Sequence, residues 1–169
     1  MDEIARRAGV GKDTLYRRWP SKVALVRDGI LRVAEDAILV PQGANPREDL
    51  VRYLTEVVEY ATTTSFGRIL AGIVGEASRN PELAEAYRQF STSRRRTTGV
   101  LLRRVLDAQG STRLDDDLEL ELDLLFAPLY YRLLVTGGSL DRAFVDMLVA
   151  RCEAARGNRG GEGTEGRGH

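Results

Sequence analysis

The chain has 169 residues, 43% of them hydrophobic, enough to bury one sizeable core without disulfide or metal staples. Its 25 basic and 25 acidic residues cancel, which excludes a wholly basic nucleic-acid protein but not a local basic patch. One cysteine, Cys152, excludes an intrachain disulfide scaffold, and one histidine, His169, argues against a histidine triad or multi-histidine metal site.

No apolar run is long enough for a transmembrane helix, and the acidic start Met1-Asp2-Glu3 is not a secretory signal. The expectation is a cytoplasmic protein that contacts no membrane. No nucleophile–base pair or phosphate loop stands out, so an enzyme is not expected, nor a cofactor or metal. Charge is unevenly spread. Residues 1–34 carry eight basic and four acidic side chains, net +4, and the remainder is net −4.

Nearly every segment has helical periodicity, which predicts an all-α fold. Asp2–Ala8 reads as a short helix, Gly9-Val10-Gly11 as a turn and Lys12–Trp19 as a second short helix. Ala5 is small where two helices must cross, and Gly9 tolerates the positive φ that ends the first helix. Leu15 can pack back onto Ile4 and Ala5. That leaves Lys12, Asp13, Thr14, Arg17 and Arg18 facing outward. Such a face suits a DNA major groove: short side chains near the helix start reach base edges and basic ones meet phosphates. Tyr16 adds a hydroxyl at phosphate reach, and Lys22, opening the next helix after Pro20-Ser21, can hold another phosphate. The plain alternative is two amphipathic helices on a glycine turn.

Val23, Val26, Ile30, Val33 and Ala37 give Ser21–Leu39 a 3.6-residue period. Pro41, Gly43 and Pro46 then break the chain. Asn45-Pro46 caps a helix to about Thr62, with Leu50, Leu54, Val57 and Ala61 inward. A short apolar helix, Phe66–Ala77, is weakened by Gly67, Gly72 and Gly75, which permits either movement or close packing. Asn80-Pro81 opens a long helix to about Ala108, and Gly110 ends it. Leu114–Val135 follows, with Pro128 expected to kink it, and Ser139 is expected to cap Leu140–Ala155. Residues 157–169 contain six glycines and no large apolar side chain, which reads as a disordered tail. The implied domains are 1–39, 40–156 and the tail 157–169.

The last two helices are too apolar for helices buried on one side only. Two from each of two chains would form a four-helix seam, with Leu125, Leu129, Leu133, Phe144, Leu148 and Cys152 as expected contacts. The alternative is a monomer with an internal penultimate helix. Asp115-Asp116-Asp117 with Glu119, Glu121 and Asp123 lacks the glycine of a calcium loop and reads as an acidic helix start. Arg94-Arg95-Arg96 reads as a solvated turn pairing with acids, and Cys152 as a small buried hydrophobe.

The ungapped run from Ile4 to Lys22, IARRAGVGKDTLYRRWPSK, resembles the DNA-binding signature of the TetR family of bacterial transcriptional regulators. Gly11 stands where Ser or Thr is common, and Trp19 where Phe is commoner. Leu129–Gly137, LYYRLLVTG, is similar to the C-terminal domain of an actinobacterial TetR subgroup, so the likeness covers most of residues 1–155. The resemblance implies a homodimeric repressor binding a palindromic double-stranded operator, with half-sites roughly 34–36 Å apart or a multiple. Lys12 and Thr14 are then the expected base readers, and Tyr16 and Lys22 the phosphate anchors. Asp13 would accept from a cytosine amine or complement the helix start. The resemblance also implies a small effector in the C-terminal helical domain, for which Tyr53, Tyr60, Phe66, Ile69, Ile73, Tyr87, Phe90 and Phe126 are candidate contacts; the alternative for each is ordinary core. Finally, it implies a helix ahead of the motif, where this chain has none, so the true start is expected upstream. A form without that helix would be a dimerisation and ligand-binding module without competent DNA binding.

Overall fold

The computed structural model describes residues 1–35, 40–110 and 115–157. Among them it has eight α-helices and no strand: α1 Asp2–Ala8, α2 Lys12–Arg18, α3 Lys22–Glu35, α4 Pro46–Thr63, α5 Phe66–Ala77, α6 Pro81–Ala108, α7 Asp115–Tyr131 and α8 Arg142–Gly157. The all-α expectation holds. The end of the segment expected to reach Leu39, the expected start at Leu114, and residues 158–169 of the expected tail lie outside the described residues.

The helix boundaries have local causes. Asn45 Oδ1 accepts from Glu48 N at 3.2 Å and Asn80 Oδ1 from Leu83 N at 3.1 Å, so both Asn-Pro pairs cap as expected. Gly110, with φ +69°, follows the end of α6. The expected cap at Ser139 is displaced to Asp141. The Asp141 carboxylate accepts from Phe144 N at 2.9 Å, while Ser139 Oγ donates to it at 2.6 Å. A carboxylate can accept both bonds at once, and that starts α8 two residues later than the periodicity implies. Helix α7 runs through Pro128 and widens into a π turn over Arg132–Thr136, closed by Gly137 N donating to Arg132 O at 2.9 Å.

The chain divides into two compact units: Met1–Ala37 with Ile69–Arg94, and Ile38–Arg68 with Arg95–His169. Both α5 and α6 thus contribute to each unit, which a boundary at residue 39 alone does not anticipate. In the first unit Ala5, Leu15, Ala24, Ile30, Leu70, Ile73, Leu83, Ala86 and Phe90 are buried. Arg94 belongs to this interior. It is 8% exposed, lies 5.6 Å from the Phe90 ring centroid and donates to the Val33 carbonyl, so the solvated arginine turn is corrected at this residue. Arg27 pairs with Glu82.

The second unit holds one contiguous core. Leu50, Leu54 and Val58 of α4 meet Leu101, Leu102 and Val105 of α6, Leu122, Leu125 and Leu129 of α7, and Val145, Val149 and Cys152 of α8. Polar ties surround it. Arg47 donates to Asp146 and Glu153, both at 2.9 Å, and Arg142 reaches Glu48 at 2.7 Å, joining α4 to α8. Buried Asp49 accepts from Gly43 N at 2.7 Å and Arg104 at 3.0 Å, while Arg104 also donates to the carbonyls of Pro41 and Gly43. That clamps the loop before α4. Arg95 pairs with Glu119 at 2.6 Å and Asp123 at 2.7 Å, as its acidic neighbours predict. A Cβ on Gly67 would collide with the Ala61 carbonyl, so this glycine serves close packing.

Candidate nucleic-acid interface

The interface is built by the first turn of the chain. Gly9 takes φ +66°, and Val10 N donates to Ala5 O at 3.1 Å, which ends α1 and turns the chain toward α2. Ala5 and Leu15 are 2% and 4% exposed and form the crossing point of the two helices. With Leu15 turned inward, the remaining side chains of α2 are left to solvent. Lys12, Asp13, Thr14, Tyr16, Arg17 and Arg18 are all exposed, as is Lys22 at the start of α3.

The corner after α2 is fixed by polar contacts. Trp19 Nε1 donates to Asp28 Oδ2 at 3.0 Å, and the Arg18 guanidinium lies 5.7 Å from the Trp19 ring centroid. The indole N–H, followed by Arg32, holds the Asp28 carboxyl below its usual range. Ser21 Oγ accepts from Ala24 N at 3.0 Å, capping α3 and fixing where Lys22 emerges.

Sequence periodicity missed the acids on α1. Asp2 accepts from Lys12 Nζ at 2.7 Å and from Tyr16 OH at 3.4 Å. Glu3 holds Arg6 at 2.6 Å and Arg7 at 2.8 Å. The Asp2 carboxyl is lowered, chiefly by the hydrogen bond from Lys12, and that carboxylate in turn raises the Lys12 ammonium. The signal that could have found the Asp2 contact is the turn itself, which folds the start of α1 over the outer face of α2.

Comparison with known proteins assigns this arrangement. Residues 1–28 match the family model described as bacterial regulatory proteins, tetR family, and residues 40–152 match the tetracyclin repressor-like C-terminal domain. The chain belongs to the TetR family. It is 33% identical over 150 residues to the helix-turn-helix-type transcriptional regulator YdeS of Bacillus subtilis, covering 88% of this chain and 75% of that one. It is 30% identical over 156 residues to the regulator Rv1556 of Mycobacterium tuberculosis, covering 88% and 73% respectively. The crystal structure of the TetR family transcription regulator SCO0332 aligns with a TM-score of 0.69 and 38% identity over 89% of this chain and 82% of that chain. The chain is therefore a TetR-type helix-turn-helix DNA-binding transcription regulator, and among its described residues no helix is long and apolar enough to cross a membrane.

The effector candidates of this TetR-family chain fall into both units. In the second unit Tyr53 and Phe126 are buried in the core, the Tyr53 hydroxyl without a hydrogen-bond partner among the described residues, and the Tyr60 and Phe66 rings pack at a tilt with centroids 5.2 Å apart. In the first unit Tyr87 and Phe90 lie 6.4 Å apart, and Ile69 and Ile73 line a cleft of about 470 Å³ with Val23, Val26, Gly72 and Leu83 as further walls.

The expected seam residues sit on the inner side of their helices. Leu125, Leu129, Phe144, Leu148 and Cys152 are buried in their own unit, and Leu133 is half-buried. These helices are apolar on two sides, and the seam expectation picked the side their own core takes. Exposed instead are Leu120, Leu124, Tyr131 and Val135 on α7 and its π turn, and Ala143, Met147 and Ala150 on α8. Spacings of three, four and seven residues place each set on one strip of its helix.

Proposed function

We propose that the chain acts as a homodimeric, effector-responsive repressor on a palindromic operator. The observation that carries the DNA reading is the outward set on α2 and at the start of α3. Thr14, near the start of α2, faces base edges, Tyr16 and Lys22 anchor phosphates, and Arg17 and Arg18 flank them with positive charge. Lys12 and Asp13 complete the contact surface. The two-fold partner meets the exposed strips of α7 and α8, led by Leu124, Tyr131 and Met147, in a four-helix seam. An apolar or aromatic effector matches the walls that Ile69 and Ile73 give the cleft of the first unit. It lowers operator occupancy if it favours the state that binds DNA less well.

The test is a gel shift on the DNA upstream of the gene at several salt concentrations, with sedimentation of the same sample. A shift that weakens steeply with salt, from a dimeric species, supports the regulator. A dimer that shifts no DNA leaves a dimerisation and ligand-binding module instead.

A further inference from the structure

Two of the exposed DNA-facing side chains converge on one carboxylate. Asp2 Oδ2 accepts from Lys12 Nζ at 2.7 Å, and Asp2 Oδ1 lies 3.4 Å from Tyr16 OH. Lys12 and Tyr16 are four residues apart, so they share a strip of α2. Asp2 is ten and fourteen residues away from them and reaches them only because Gly9 turns the chain. The contact is open to solvent: the Lys12 and Asp2 side chains are 64% and 58% exposed. An incoming polyanion therefore has access to the same donors. An ammonium and a phenolic hydroxyl aimed at one anion are the donors a DNA phosphodiester takes.

We infer that Lys12 and Tyr16 form a single phosphodiester clamp whose place Asp2 holds in the free protein, so that Lys12 supplies sequence-independent affinity rather than base reading. This rests on the reading of α2 as the DNA-facing helix. Docking replaces one anion by another: the phosphate takes the two donors and Asp2 is displaced from them. Breaking the Asp2–Lys12 pair offsets part of what the phosphate contact gains, and that weakens binding to any duplex. Its location near the start of α2 had made Lys12 an expected base reader, but a side chain committed to the same anion as Tyr16 points at the backbone. Thr14 is left as the base reader.

Random-sequence 30-base-pair duplex is the probe, because phosphate contacts need no operator. Fluorescence anisotropy at several salt concentrations compares wild type, Asp2→Asn, Lys12→Gln, Tyr16→Phe and Asp2→Asn/Lys12→Gln, with circular dichroism melts to verify folding. Asp2→Asn is expected to tighten binding several-fold. Lys12→Gln should weaken it and reduce the salt slope by about 1, the loss of one phosphate contact. The double variant should bind no better than Lys12→Gln, since the gain needs the released ammonium. Selection from a randomised duplex pool should return the same sequence preference for Lys12→Gln as for wild type. An Asp2→Asn protein with unchanged affinity overturns the clamp. So does a gain that persists without Lys12, or a Lys12→Gln protein with altered sequence preference. Wild type that binds no duplex even at low salt removes the DNA-facing reading itself, and the clamp with it.

Discussion

Helices α2 and α7 both bury one side, yet they leave opposite chemistries on the other. On α2, Leu15 goes in and Lys12, Asp13, Thr14, Tyr16, Arg17 and Arg18 stay out. On α7, Leu122, Leu125 and Leu129 go in, while Leu120, Leu124 and Tyr131 stay out at 52%, 52% and 59% exposure. A polar outer face can face water indefinitely and exchange it for a polyanion. An apolar strip of this length is unfavourable in water and calls for a second protein surface. The lesson is that burial locates the core, while the residues left outside say what kind of partner each helix takes.

Adjacent residues on α7 allow the sharpest challenge to that contrast. Leu125→Ala removes a fully buried side chain and should cost about 3 kcal/mol, seen as a melting temperature lower by about 6–12 °C. Leu124→Glu should leave each protomer folded and weaken self-association by ~100-fold or more, because a charge would be buried unpaired in the proposed seam. Sedimentation equilibrium beside a thermal melt separates the two outcomes; equal melting losses would erase the distinction between the faces. On α2 the parallel experiment reads DNA. Thr14→Ala should lose about 1–3 kcal/mol of discrimination at one base pair in binding to a selected site, whereas Lys22→Ala should weaken all sequences alike and lower the salt slope by about 1.

The smallest effect concerns the cap of α8. Asp141 has its carboxyl lowered first by the Ser139 hydroxyl and then by the Phe144 backbone N–H. A lowered carboxyl stabilises the fold at pH values above its ordinary unfolded pKa, and that contribution disappears as pH falls through the folded value. Asp141→Ala should therefore lower the melting temperature by about 2 °C at neutral pH, and the gap from wild type should close in strong acid.

Much of this was legible in the sequence, for identifiable reasons. Asn-Pro pairs placed the starts of α4 and α6, because a capping side chain followed by a residue without an N–H leaves little choice. The glycine turn and Leu15 placed α2 and its outward face. The side of α7 that meets the core was not legible, since Leu118, Leu120, Leu122, Leu124 and Leu125 supply apolar groups in nearly every direction. Only packing against α4, α6 and α8 selects among them. Asp2 escaped for a different reason: its partners lie beyond the turn, and helical periodicity is blind to contacts between helices. Arg94 escaped because a charged run reads as surface until an aromatic ring and a carbonyl are found to receive it.

The π turn after Tyr131 holds one residue more than a regular coil would need for the same rise. That surplus works as a vernier. Dropping one residue from Arg132–Thr136 would let the backbone relax to ordinary winding with little loss of hydrogen bonding, whereas the same deletion earlier in α7 would rotate every following side chain by about 100°. Chain-length variation among family relatives should therefore be tolerated at this point sooner than within the core-facing turns before it.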